Sequence, residues 1–355
     1  MKNCNDVKNS WVGDQFEWRA RTRGIGCWIA VGVAPILLLL SHAMAQKPSL
    51  HLVVLNKDAN QLAIVDPAQR KVLATIATGE APHEVAVSED GRWAYVANYG
   101  GFGPDAKPGH TISVIDVVNR KETQTVDVAP LRRPHGIEYA EGEVWFTAEL
   151  DRAIARWNPQ TKKLDWLMGT GQGRTHMIFV TKDVSKIVTS NIESNTISVF
   201  EKGGEPTGWS VTVVAVGKGP EGGSLSPDEK EFWAANSGDG SVSIVDLATK
   251  KVTQTIAVGT QHSNRLKFTP DGRLVLVSDI GSGDVVVLDV ASHKVVKRVH
   301  VGKNAEGVLM APDGTVAYVA AAADDKVVIV DLKKLEVAGE IATGKGPDGM
   351  AWATF

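Results

Sequence analysis

The sequence predicts an all-β chain folded as a seven-bladed β-propeller, with four antiparallel strands per blade. Three observations carry that prediction. Marker segments recur at a spacing near 42 residues, each repeat contains four runs rich in β-branched residues, and the two chain ends read as complementary parts of one repeat.

The first marker, Thr255-Ile-Ala-Val-Gly259, recurs with variation in segments ending at Gly217, Gly302 and Gly344, at spacings of 42, 43 and 42 residues. Earlier copies end near Gly79 and Gly169. The second is a turn, Ser88-Glu-Asp-Gly91, repeated as Ser226-Pro-Asp-Glu229, Thr269-Pro-Asp-Gly272 and Ala311-Pro-Asp-Gly314. Each turn precedes an apolar strand such as Trp93-Ala-Tyr-Val-Ala-Asn98 or Phe232-Trp-Ala-Ala-Asn236. The third is an Ile-Ser-Val-Ile-Asp type of run at 112–116, 242–246, 285–289 and 327–331. Four strands in about 42 residues is the period of a propeller blade. The 310 residues after position 45 hold seven such units.

The ends close the ring. Pro347-Asp-Gly-Met-Ala-Trp-Ala-Thr-Phe355 matches only the first strand of a repeat, and Leu50-His-Leu-Val-Val-Leu-Asn56 matches the second. One C-terminal strand and three N-terminal strands therefore complete the seventh blade and remove an open sheet edge.

These motifs resemble the YVTN-type seven-bladed propeller family over roughly residues 50–355, through Tyr95-Val-Ala-Asn98 and the Pro-Asp-Gly turns. Blades 2 and 3 depart from the pattern, with Ala140-Glu-Gly142 and Lys182-Asp-Val184 in place of Pro-Asp-Gly. The resemblance implies a fold shared by surface-layer proteins, periplasmic proteins of the YncE kind and propeller lactonases. It leaves the function open.

Residues 1–45 read as an export signal. Trp28–Leu40 is an uncharged apolar run of 13 residues that follows Arg19, Arg21 and Arg23 and precedes the small-x-small site Ala43-Met-Ala45. A membrane span needs about 20 residues, so a cleaved signal is expected, with a retained anchor as the alternative. The propeller domain is then 46–355. Removing five basic and three acidic residues leaves 33 against 38 and a net charge of −5, with no thiol, because Cys4 and Cys27 leave with the signal. A periplasmic or secreted protein is expected, and the absence of a basic stripe argues against nucleic acid as a partner. A monomer is expected, and its partner is a small-molecule ligand or a cell-envelope component.

The candidate chemistry collects at one repeat position, the residue opening the innermost strand. In blades 1 to 7 the sequence reading puts His83, His135, His176, Glu221, His262, Glu306 and Asp348 there. Innermost strands surround the central channel, so the seven side chains are expected to form a ring at its mouth. Neutral imidazoles and carboxylates form a ligand set for Zn, Mn, Fe, Ni or Cu as a divalent ion. His83, His135, His176 and His262 are the expected ligands. Glu221, Glu306 and Asp348 are the expected catalytic, base or orienting groups. Structural turn histidines are the competing explanation. Arg132, Arg133, Arg174 and His110 are the expected substrate contacts, and the glycine-rich insertion Tyr99–His110 is the expected lid. Two functions remain: a metal-dependent hydrolase, lactonase or lyase, and a noncatalytic exported binding propeller. No complete catalytic motif decides whether the chain is an enzyme.

Overall fold

The computed structural model describes residues 49–355, except 104 and 204–207. The expected signal segment lies outside the described residues. Seven four-stranded antiparallel sheets are present, which makes the chain an all-β, seven-bladed propeller. The innermost strands are Pro82–Val87, Pro134–Ala140, Thr175–Val180, Pro220–Leu225, Ser263–Phe268, Ala305–Met310 and Pro347–Thr354, for blades 1 to 7.

Blade 7 closes the ring as the chain ends predict. Pro347–Thr354 pairs antiparallel with Leu50–Asn56, in the register Leu52↔Trp352, Val53↔Ala351 and Val54↔Met350. Gln61–Asp66 and Lys71–Ala77 then extend the same sheet outward. Leu52, Val53, Val54 and Leu55 are fully buried, because the second strand of a blade is covered on both faces by neighbouring blades.

The repeated turn residues have identifiable work. The Asp that ends the third strand accepts the backbone N–H three residues on: Gln69 to Asp66 at 2.9 Å, Asn119 to Asp116 at 2.9 Å, Ser292 to Asp289 at 2.8 Å and Lys334 to Asp331 at 2.8 Å. These are Asx turns that specify the hairpin to the fourth strand. Blades 2 and 3 keep four strands despite their variant turns. In blade 2, Glu141 and Gly142 both take positive φ (48° and 81°), which is the two-residue hairpin geometry suited to strand twist.

Trp145 and Trp233 are fully buried between blades. Adjacent inner strands approach closely where they meet the channel. A Cβ on Gly307 would lie 2.1 Å from the Asp348 carbonyl oxygen, and one on Gly349 would lie 2.3 Å from that of His83. Glycine at this place lets the ring contract around a narrow channel. Among the described residues no helix is long and apolar enough to cross a membrane.

Candidate functional site

A shared backbone contact defines the ring position. The residue at the end of each second strand, the one just after it in six blades and Tyr99 within Trp93–Gly100 in blade 1, donates its N–H to the carbonyl of the residue two places before the ring residue. The pairs are Lys57 to Gly346, Tyr99 to Ala81, Glu149 to Arg133, Ile192 to Arg174, Ser237 to Gly219, Ile280 to His262 and Ala322 to Asn304. The ring is therefore His83, His135, His176, Glu221, Asn264, Glu306 and Asp348. Six of the seven expected residues hold their places.

His262 does not. It precedes the inner strand of blade 5, and Asn264 takes the ring position. The reason is loop length. Val216 and Glu221 are five residues apart in blade 4, whereas the equivalent Val258 and Asn264 are six apart, so the turn of blade 5 carries one extra residue. The His262 side chain is half exposed at the rim, with Nε2 3.1 Å from Glu221 Oε2. That hydrogen bond raises its pKa, and the same bond helps hold Glu221 below the usual carboxylate range against the effect of burial.

The three ring histidines stand side by side and buried, at 7%, 2% and 3% exposure for His83, His135 and His176. Ring centroids are 5.0 Å apart for His83 and His135 and 3.7 Å apart for His135 and His176. His83 Nδ1 lies 2.8 Å from the Ala81 carbonyl, so Nδ1 carries the proton and Nε2 the lone pair. His176 Nδ1 likewise donates to Glu149 Oε2 at 2.8 Å. His176 Nε2 and His135 Nδ1 are buried with no protein partner. Burial drives the His83 pKa down to about 4. Burial, followed by the neighbouring His176 and His83, places His135 well below the ordinary value. Both are neutral imidazoles at neutral pH.

A second tier stands above the ring, at the ends of the second strands, and the sequence reading missed it. Glu149 accepts from Tyr99 Oη at 2.7 Å and Arg174 Nε at 3.1 Å as well as from His176. Burial opposes its ionisation, but these partners, His176 first, bring its pKa to about 2. Lys57 reaches Glu306 and lies 3.5 Å from Asp348 Oδ2. Burial and the neighbouring Asp348 carboxylate push Glu306 up to about 7. Asp348 is held below the usual range: burial works against this, and Lys57 and Arg265 outweigh it. The signal available in the sequence was the residue after each second strand, a repeat position as regular as the ring itself.

The floor is an ion pair across the channel. Arg265 of blade 5 donates Nε to Glu84 Oε1 of blade 1 at 2.8 Å, with Nη2 on the same oxygen, and Nη1 is buried without a partner. Above it lies a cavity of about 170 Å³ lined by Lys57, the three histidines, Glu221, Glu306 and Asp348, among others.

The expected substrate contacts divide. Arg174 lines the cavity. Arg133 lies over the Tyr99 ring at 4.5 Å, on the lid side. Arg132 and His110 do not reach the channel. They line a separate outer cleft between blades 1 and 2, where Arg132 pairs with Asp151 at 2.6 Å and His110 with Asp127 at 2.9 Å. Arg132 lies in the loop before the innermost strand Pro134–Ala140 and His110 on the third strand of blade 1, Pro108–Asp116, so neither occupies the position that faces the channel. The insertion after Tyr99 does reach the funnel: Phe102 lies 5.4 Å from His83, and Tyr99 4.8 Å from it.

Residues 228–350, about a third of the chain, match the family described as the cytochrome D1 heme domain. No curated protein sequence matches. Among solved structures, a functionally unknown protein from Desulfotomaculum acetoxidans is 14% identical, with a TM-score of 0.72 and coverage of 86% of this chain and 99% of that one. A candidate 6-phosphogluconolactonase from Bacteroides uniformis is 15% identical, with a TM-score of 0.73 and coverage of 87% and 100%. The dihydro-heme d1 dehydrogenase NirN is 15% identical, with a TM-score of 0.61 and coverage of 85% and 74%. At these identities the likeness is one of fold, and it agrees with a propeller.

A heme does not fit this funnel. Pockets that enclose drug-sized ligands occupy roughly 300–1,000 Å³, and the cavity here is about 170 Å³. The three histidine rings pack directly on one another, and the Glu84–Arg265 pair closes the space below. The matched segment also contains none of the three histidines.

Proposed function

We propose that His83, His135 and His176 hold a divalent transition-metal ion at the mouth of the central channel, and that a small ligand reaches it under the Tyr99–His110 loop. The observation that carries this reading is the pair of buried, unpartnered imidazole nitrogens, His135 Nδ1 and His176 Nε2. An unpaired buried polar atom costs about 1–3 kcal/mol, and the anchored Nδ1 atoms of His83 and His176 reproduce the arrangement that orients metal-binding histidines. One donor atom each from His135, Glu149 and His176 falls within 4.8 Å of the others.

Charge supports the same reading. The cations Lys57, Arg174 and Arg265 face five carboxylates, Glu84, Glu149, Glu221, Glu306 and Asp348, a formal −2 over these eight side chains. A divalent cation balances that excess. When bound, such an ion supplies Lewis-acid chemistry, polarising a carbonyl or acidifying water. Glu306, with a pKa near neutrality, is the residue suited to exchange a proton there. Metal-dependent hydrolysis or lyase chemistry is therefore the catalytic form of the proposal. The motifs at Tyr95–Asn98 and the Pro-Asp-Gly turns support placement among YVTN-type propellers, and the 1–45 segment supports export to the periplasm or beyond.

Elemental analysis of protein purified from its own host, with thermal-shift titrations of Zn²⁺, Mn²⁺, Fe²⁺, Ni²⁺ and Cu²⁺, tests this. We expect bound metal and a melting temperature that rises with one of these ions. His135→Ala with His176→Ala should abolish both effects. A metal-free protein with no ion-dependent shift would leave a noncatalytic ligand-binding propeller in its place.

A further inference from the structure

The carboxylate side of the funnel contains a cation that belongs to the protein. Lys57 begins the short 3₁₀ segment Lys57–Ala59 in the blade that closes the ring, and its side chain is 18% exposed. Its ammonium sits between Glu306 of blade 6 and Asp348 of blade 7. The six equivalent positions carry Tyr99, Glu149, Ile192, Ser237, Ile280 and Ala322, so the repeat geometry does not demand a lysine. Asp348 is 2% exposed, and its Oδ1 is buried with no partner, so the ammonium satisfies only part of the available oxygen set. The two carboxylates are brought together by the inner-strand contact at Gly307.

We propose that Glu306 and Asp348 form a second divalent-cation seat, one that takes a hard, oxygen-liganded ion, and that Lys57 occupies it as a tethered counter-ion. Lys57 thereby keeps the funnel from becoming a two-metal centre. Two carboxylates from adjacent strands, one with a free buried oxygen, suit Ca²⁺ or Mn²⁺ better than ions that prefer imidazole. The ammonium supplies one positive charge where such an ion would supply two, so the seat is only partly neutralised by it. The count of one metal in the wild type rests on the histidine reading; the seat itself does not.

The test is calorimetric titration of the full-length protein with Ca²⁺, alongside Lys57→Ala and Lys57→Met. The wild type is expected to bind no Ca²⁺ in the funnel. Each variant should gain one equivalent, accompanied by a Ca²⁺-dependent rise in melting temperature, and Asp348→Asn in the Lys57→Ala background should remove the gain. Met retains the apolar stem if Ala perturbs packing. A variant that folds only when Ca²⁺ is present supports the seat. Folded variants that ignore Ca²⁺, a gain that survives Asp348→Asn, or variants that stay unfolded with and without Ca²⁺ each overturn it. Zn²⁺ titration of the wild type reads the histidine site separately, so failure of one reading is distinguishable from failure of the other.

Discussion

Replacing Arg265 by Met should destabilise the propeller severely, and replacing Glu84 in the same chain should restore most of the loss. The pair spans the channel between blades 1 and 5, with side chains 6% and 14% exposed. Arg265→Met leaves the Glu84 carboxylate buried without its cation and takes the funnel from a formal −2 to −3. Breaking a buried pair from one side costs about 3–5 kcal/mol, whereas exchanging both partners for apolar groups of similar size is close to neutral. An unfolding entropy of roughly 2.1 cal/mol/K per residue gives a domain of this length about 0.6 kcal/mol/K. The single change should therefore lower the melting temperature by about 5–8 °C. Arg265→Met with Glu84→Met should return to within about 2 °C of the parent, a strongly coupled double-mutant cycle. Differential scanning calorimetry on the four proteins reads this directly. A single variant that melts with the parent, or a double variant that loses the sum of the two single losses, refutes the idea that this ion pair holds the channel closed.

Two further outcomes follow from the same architecture. Deleting residues 348–355 removes the innermost strand of blade 7, exposes the Leu50–Asn56 edge and should abolish the cooperative melt seen by circular dichroism; an unchanged melt would contradict closure by the chain ends. Glu138, in the channel wall below the ion pair, accepts the Val180 N–H at 2.9 Å, and burial pushes its pKa up to about 7. Because the folded pKa lies above the unfolded one, the folded state binds more protons between about pH 4.5 and 7, and stability falls as pH rises through that window. Glu138→Gln keeps the acceptor and removes the charge, so its unfolding free energy should gain on the parent's between pH 5 and pH 8 by an amount on the order of 1–3 kcal/mol, read from denaturant melts; equal pH profiles would show that Glu138 is solvated.

Much of the site's skeleton was readable along the chain because propeller blades repeat in sequence as they do in space. His83, His135, His176, Glu221, Glu306 and Asp348 fall into one ring, as their common offset from the strand start predicted. His262 failed because the offset was carried through a turn that has gained a residue, and only backbone pairing reveals such a gain. Arg132 and His110 failed for a different reason. Arg132 sits in the loop ahead of its blade's innermost strand and His110 on a third strand, and both line an outer cleft between blades 1 and 2 instead of the channel.

Local pattern alone therefore determined the strands, the blade count, the closure by the two ends and which strand faces the axis, since each depends on alternation, turn chemistry and period. The tertiary structure decided how charges pair across the channel and between tiers. Glu149 meets His176 from the preceding blade, Lys57 meets Glu306 from a blade at the far end of the chain, and Glu84 meets Arg265 181 residues away. These contacts cross between blades, where no repeat constrains residue identity. They exist because ring closure brings seven independent strand ends within a few ångströms of one axis, in a space where a buried charge must find a partner.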